Sequence, residues 1–310
     1  MKLRILIFAF LAVSSMSFFT SCEEDEPVIT PVVKKTIVDV VIADANFSFL
    51  KAAVVAAGLD KTLAETPNLT VFAPVNQAFK NAGFKDEAAV SAADKATLTA
   101  ILQYHVLGSK VASADIKTAD NQELTTLGKA IAFLTKNAAG VSINGAKVTT
   151  ADVAADNGVI HVIDAVLLPP SKNIVEMVVA DPNLSLLKTA VLRANEGATK
   201  VVTILSGTGP FTVFAPTNAA FTKAGFDEAK LKAADPAFLA KVLTHHVVGA
   251  RVFSTNLKDG AVKSAQGDDL TFKGATVQGS FNTTASNITA VNILPTNGVI
   301  HVIDAILLPK

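Results

Sequence analysis

Cysteine, tryptophan and tyrosine are nearly missing from this chain. Of 310 residues one is Cys (Cys22), one is Tyr (Tyr104) and none is Trp. A single thiol can build neither an internal disulfide framework nor a multi-thiolate metal site. Without indoles there is no sugar-stacking platform of the usual kind, and the 18 Phe bring apolar bulk with no polar handle. An excess of positive charge is also missing, since 27 Lys and Arg face 27 Asp and Glu. The stretch from Met1 to Ser21 holds Lys2 and Arg4 and no acid, so beyond it the acids outnumber the bases by two. Such a chain gathers no phosphates, so nucleic acid is excluded as a partner. Catalytic signatures are missing too: there is no G-x-S-x-G, H-E-x-x-H, Walker loop or D-x-D-x-D-G calcium loop. Gly140 and Gly145 have phosphate-loop spacing, but Ala146 stands where lysine is required, and the segment reads as a hairpin turn. The sequence therefore gives no catalytic residue, no metal ligand set and no cofactor.

What is present is apolar. Half of the residues are hydrophobic and mean hydropathy is +0.43, which rules out a disordered chain. The N-terminus reads as an address. Lys2 and Arg4 precede an unbroken apolar run of nine, Ile5 to Val13, too short to cross a membrane, so residues 1–21 read as a secretion signal. Its end, Phe19-Thr20-Ser21-Cys22, resembles a bacterial lipobox, which would make Cys22 the acylated first residue; simple cleavage leaving a free thiol is the alternative. Residues 22–35 carry Glu23-Glu24-Asp25-Glu26, Pro27, Pro31 and Lys34-Lys35 and read as a solvated tether. The acidic run resembles the surface-export signal of lipoproteins in the Bacteroides and Flavobacterium group; a plain hydrophilic spacer is the other reading. No later segment is long and apolar enough to span a membrane, so the only membrane contact expected is through the lipid anchor.

The rest of the chain is written twice. Asn157 to Pro170 recurs at Asn297 to Lys310, identical at all but two positions, and Leu69 to Phe79 recurs at Phe211 to Phe221 with all but three identical. Tyr104-His105-Val106-Leu107-Gly108 matches His245-His246-Val247-Val248-Gly249. The step from Asn157 to Asn297 is far too long for a solenoid repeat, so these are two complete domains, 36–170 and 171–310, joined at a stiff Pro169-Pro170. In each copy the early segments have helical spacing: Ile37, Val40 and Val41; Phe47, Leu50 and Val54; Leu98, Ile101, Leu102, His105 and Val106. Asp181-Pro182 reads as a helix N-cap followed by Pro in the first turn, and Asn76 and Asn218 read as caps of the helices they open. Later segments turn to short β-branched runs, with Asn157-Gly158 and Asn297-Gly298 as hairpin signals. Helices first and strands later argue an α+β fold.

With these motifs set out, the chain resembles the fasciclin (FAS1) domain family over residues 36–310. Thr212 to Phe221 and Asn157 to Asp164 look like its two signature motifs, with Tyr104-His105 between them. The resemblance implies two tandem wedges of β-strands packed with helices, and a role in adhesion or matrix attachment rather than catalysis. In animal matrix members an Asp-Ile pair before the Asn-Gly turn is associated with integrin contact. Asp152 and Val153 stand there in the first domain and Asn292-Ile293 in the second, which makes Asp152 and Val153 the candidate binding residues; no integrin function is carried over.

Five histidines complete the candidates. His105, His161, His246 and His301 recur at equivalent places among apolar residues and read, with Tyr104, as structural groups bonded to backbone or carboxylate; His245 replaces Tyr104. Asp164 and Asp304 lie three residues beyond the strand histidines, on the opposite face, so no His–Asp dyad is expected. The leading expectation is a non-enzymatic adhesin at the cell surface, an outer-membrane lipoprotein binding polysaccharide, matrix or a surface protein. The alternatives are a periplasm-facing structural or polysaccharide-uptake lipoprotein, and a carrier of an apolar ligand such as a lipid or pigment.

Overall fold

The computed structural model describes residues 35–310. The signal, Cys22 and all of the tether but Lys35 lie outside the described residues. Lys35–Lys310 forms one compact unit holding two domains of the same plan.

In the first domain α1 (Ile37–Ala43), α2 (Ser48–Ala57) and α3 (Asp60–Glu65) lead into β1 (Leu69–Pro74). There follow α4 (Asn76–Asn81), α5 (Glu87–Ser91), α6 (Lys95–Tyr104) and β2 (Val106–Leu107). The strands β3 (Ala119–Thr125), β4 (Ile131–Asn137), β5 (Gly140–Ile143), β6 (Ala146–Ala155) and β7 (Gly158–Ile163) close the domain. With β1 and β2 they form a seven-stranded sheet in the order β2-β1-β7-β6-β5-β4-β3, in which only the β1–β7 pair is parallel.

The period-2 alternation of β1 divides two cores. Leu69, Val71 and Ala73 face α1, α2 and α6 with Phe49, Leu50, Val54 and Leu102. Phe72 points the other way, to Tyr104, Leu134, Ile143 and Ile163. Burial on both faces explains why β1 and β7 read as continuous apolar runs.

The second domain repeats this with α7 (Ile174–Ala180), α8 (Ser185–Ala194), α9 (Val201–Leu205), β8 (Phe211–Pro216), α10 (Asn218–Lys223), α11 (Glu228–Ala233), α12 (Pro236–His245) and β9 (Val247–Val248). Its later strands are β10 (Gly260–Lys263), β11 (Asp269–Lys273), β12 (Thr276–Gly279), β13 (Ser286–Ile293) and β14 (Gly298–Ile303). The sheet order is β10-β11-β12-β13-β14-β8-β9, and β8–β14 is parallel. Among the described residues no single helix is long and apolar enough to cross a membrane.

The expected α+β plan is present twice, with three local corrections. First, α6 and α12 stop before Val106 and Val247. His105 and His246 are their C-caps, and the next two residues pair as strands with β1 and β8. Second, Asn76 and Asn218 do not cap their own helices. Val75 and Thr217 hold those N-cap positions, while Asn76 Oδ1 accepts from Phe49 N at 3.1 Å and Asn218 Oδ1 from Leu186 N at 2.9 Å. Each Asn thus satisfies an orphan donor at the start of the preceding long helix.

Third, the hairpin expected at Asn157-Gly158 is present but set one residue earlier: Ala155 pairs with Gly158, Asp156 and Asn157 form the turn, and Gly158 opens β7. Asn157 also accepts from Ile37 N at 2.9 Å and donates to Leu63 O at 2.7 Å and Thr66 O at 3.0 Å, tying the start of α1 to the end of α3. Gly158 is required by close approach, since a Cβ there would lie 2.1 Å from Leu69 O. Asp181 caps as expected, accepting from Asn183 N at 2.9 Å with Pro182 in the first turn.

Candidate functional site

The paired strands β6–β7 and β13–β14 carry most of the candidate residues. Each pair is interrupted by register shifts, and at the shift Asp152 and Asn292 adopt left-handed φ of 58° and 60°. In that conformation a short polar side chain can turn back onto a neighbouring loop.

Asp152 is exposed, whereas Val153 is half-buried against the helical core. The Asp152 carboxylate accepts from Ser113 N at 2.8 Å and from Ser113 Oγ. These bonds, the hydroxyl's first, hold its pKa below the usual carboxylate value. Behind it the Asp152 N–H points at His161 Nδ1 at 3.3 Å, and His161 Nε2 donates to Val111 O at 2.9 Å. The histidine is buried beside Phe72 and fixes the bulge to the 111–113 loop. His301 does the same through Val252 O at 2.9 Å, with its ring stacked on Phe214, and burial lowers its pKa.

Tyr104, His105 and His246 are buried in the core with their polar atoms bonded. The Tyr104 hydroxyl donates to Ile131 O and accepts from Asn144 Nδ2, both at 2.9 Å, and burial pushes its pKa up to about 12. Each of His105 and His246 donates from Nδ1 to the carbonyl four residues earlier at 2.8 Å and accepts at Nε2 from the chain's exit segment, Leu167 N or Leu307 N, at 2.9 Å. Full burial pulls both pKa values down to about 4. His245, in Tyr104's place, meets Ser264 Oγ at 3.1 Å and leaves its buried Nε2 without a partner. Asp164 and Asp304 accept from Lys147 N and Asn287 N at 2.7 Å and stay away from the histidines. Four of the five histidines therefore have both ring nitrogens engaged by the chain's own backbone.

A seam between the domains brings together residues that the repeats do not mark. Arg251 lies over the Phe133 ring with its guanidinium carbon 4.0 Å from the centroid, and donates to Gly298 O at 2.7 Å. Phe253 packs on Phe133 at 6.1 Å between centroids. Asn121 Nδ2 donates to Arg251 O at 2.7 Å, Asn137 Nδ2 to Thr255 O at 3.2 Å and Asn256 Nδ2 to Thr135 Oγ1 at 3.3 Å. Asn292 joins this seam: its Oδ1 accepts from Ser254 N at 2.8 Å while Nδ2 donates to Ser254 Oγ at 2.8 Å and, across the seam, to Gly145 O at 3.3 Å. An aspartate could not make the last bond, which explains why the acid of the first domain is an amide in the second. The usable signal in the sequence was divergence between copies: Lys110 becomes Arg251, Ala112 becomes Phe253, and Phe133 has Thr271 as its counterpart.

The family model described as the fasciclin domain matches residues 45–169 and 185–309. The chain is similar to Protein sll1483 of Synechocystis, 43% identical over 44% of this chain and 74% of that protein. It is also similar to transforming growth factor-beta-induced protein ig-h3 of Sus scrofa, 26% identical over 78% of this chain and 35% of that one. The cell surface glycolipoprotein MPB83 of Mycobacterium bovis is 33% identical over 42% of this chain and 57% of its own length. The chain thus spans about a third of the ig-h3 protein, which matches it over both domains.

Proposed function

This chain belongs to the fasciclin domain family, and from that premise we propose that it is a non-enzymatic adhesion protein working outside the cell, held to the outer membrane by a lipid on Cys22. The observation that carries the reading is the pair of fasciclin domains, matched over 45–169 and 185–309. Four of their five histidines have both ring nitrogens bonded to the chain's own backbone, which supports a scaffold over an enzyme. The similarity to a mycobacterial cell surface glycolipoprotein supports the surface anchor, and the lipobox-like end of the signal names its residue.

The proposed partners are extracellular polysaccharide, matrix or a surface protein, bound through many weak contacts. Two domains on one chain and many chains on one membrane would raise avidity by effective concentration. Asp152 is the proposed contact residue, exposed and held ionised by Ser113, with Val153 as its support.

The test is protease and antibody accessibility of residues 36–310 on intact cells, beside a Cys22→Ala variant. Digestion of the intact-cell protein together with release of the variant from membranes is the expected result. Full protection until the outer membrane is opened overturns the surface assignment and moves the protein to periplasmic partners.

A further inference from the structure

The seam joins unlike faces. The first domain gives the side of β4 and β5 that carries Phe133, Thr135 and Ser142, and the second gives the loop 251–256 with Asn292. An interface of that kind does not close on itself, so like domains carrying both faces can add end to end without limit. Both faces recur in this chain. The loop 110–115 of the first domain is built on the same frame as 251–256. Ser113 N meets Asp152 as Ser254 N meets Asn292, each at 2.8 Å, and His161 and His301 hold Val111 O and Val252 O at 2.9 Å.

What differs is the set of side chains at the contact. Phe133 and Phe253 are 8% and 1% exposed in the seam, whereas their counterparts are Thr271 and Ala112. Buried aromatic anchors carry most of the energy of a contact, so their loss leaves little to hold another copy. Arg251, which covers the Phe133 ring, has the exposed Lys110 as its counterpart. Asn292 donates to Gly145 O across the seam, but Asp152 can only accept and would set a carboxylate against a carbonyl. Asn256, the donor to Thr135 Oγ1, corresponds to Asp115, and Thr135 itself to Lys273. Asp115 and Lys273 attract each other, yet an exposed ion pair contributes little.

We propose that the loop 110–115 with Asp152 is a second domain-docking socket, of the build that holds the two domains together. It is closed to further copies of this chain by Ala112 and Asp152, and by Thr271 on the face that would enter it. The chain therefore stops at two domains, and the Asp152 face is kept clear for a partner of another kind. The inference rests on the seam and does not depend on the adhesion reading.

The experiment restores each face in a separate full chain and mixes the two. One chain carries Lys110→Arg, Ala112→Phe and Asp152→Asn; the other carries Thr271→Phe. Lys110, Asp152 and Thr271 are exposed and Ala112 is half-buried, so both folds should persist, which circular dichroism checks. By analytical ultracentrifugation at about 100 μM the parent and each variant alone should be monomers, and the mixture should form a one-to-one complex. All four changes in one chain should give open-ended head-to-tail polymers. Keeping Asp152 in the first variant should weaken the complex by about fivefold or more. Self-association of the parent, or folded variants that do not pair when mixed, overturns the proposal.

Discussion

His105 and His246 are each a buried base with both nitrogens engaged, and that arrangement makes the fold sensitive to acid. Their folded pKa lies at about 4, below the ordinary imidazole value, because burial disfavours the cation. Between about pH 4 and 6.5 the unfolded chain binds protons that the folded chain refuses. Stability is therefore complete above the unfolded pKa and falls as pH drops toward 4, by about 3 kcal/mol per imidazole at the bottom of that window. Urea midpoints measured from pH 7.5 to 4.5 should decline accordingly, with the lowered carboxylates Asp39 and Asp94 titrating beneath the window. His105→Gln should be less stable at pH 7.5 by about 1–2 kcal/mol and show a flatter profile. An unchanged profile in that variant would remove His105 from the account. At this scale the sequence was informative about type and less so about partner. Recurrence among apolar neighbours marked four histidines as structural, but the pairing of His161 with Val111 O depends on a loop 50 residues earlier in the chain. Nothing in the local pattern announces a contact of that kind.

Among the elements, the parallel pairing of β1 with β7 in the first domain and of β8 with β14 in the second is the axis of each domain, and each depends on one missing side chain. A Cβ on Gly158 would lie 2.1 Å from Leu69 O and one on Gly298 2.0 Å from Phe211 O, so neither position has room for a side chain. Gly158→Ala should push the strands apart at the first rung of the ladder and cost about 3 kcal/mol or more, read as a lowered urea midpoint. Thr36→Ala, which removes a capping box from α1, should cost only about 1 kcal/mol. Equal losses from the two would contradict the view that the β1–β7 register carries more of the fold than the α1 cap. The strands themselves were legible because burial on both faces writes a continuous apolar run, and the helices because their apolar positions recur at helical spacing. The roles inside Asn157-Gly158 were not. A dipeptide that signals a tight turn serves here also as a helix clasp and a close backbone approach, and both involve residues about 90 to 120 positions away.

At the scale of the whole molecule the repeats disclosed two domains and a short junction, but not the seam that makes Lys35–Lys310 one compact unit. Repetition reveals what two copies share, whereas an interface between them is asymmetric and is built where they differ. Phe133 supplies one side and Arg251 and Phe253 the other, so neither side appears as a motif. Asn292 allows a sharp test. In Asn292→Asp the new carboxylate can still accept from Ser254, as Asp152 does from Ser113, so the local bulge should survive. What it loses is the donor to Gly145 O, and it sets two acceptors against each other across the seam. The cost should be about 1–3 kcal/mol, confined to the contact between domains. Calorimetry should then resolve one unfolding transition in the parent chain into two in the variant, and small-angle scattering should show a larger radius of gyration. Asp152→Asn, the reverse change at the equivalent exposed position, should leave both readings as they were, because no second domain lies across from it. If both variants keep a single transition and the parent's dimensions, the Asn292–Gly145 bond is not what holds the seam, and the Phe133, Arg251 and Phe253 packing carries it without that amide.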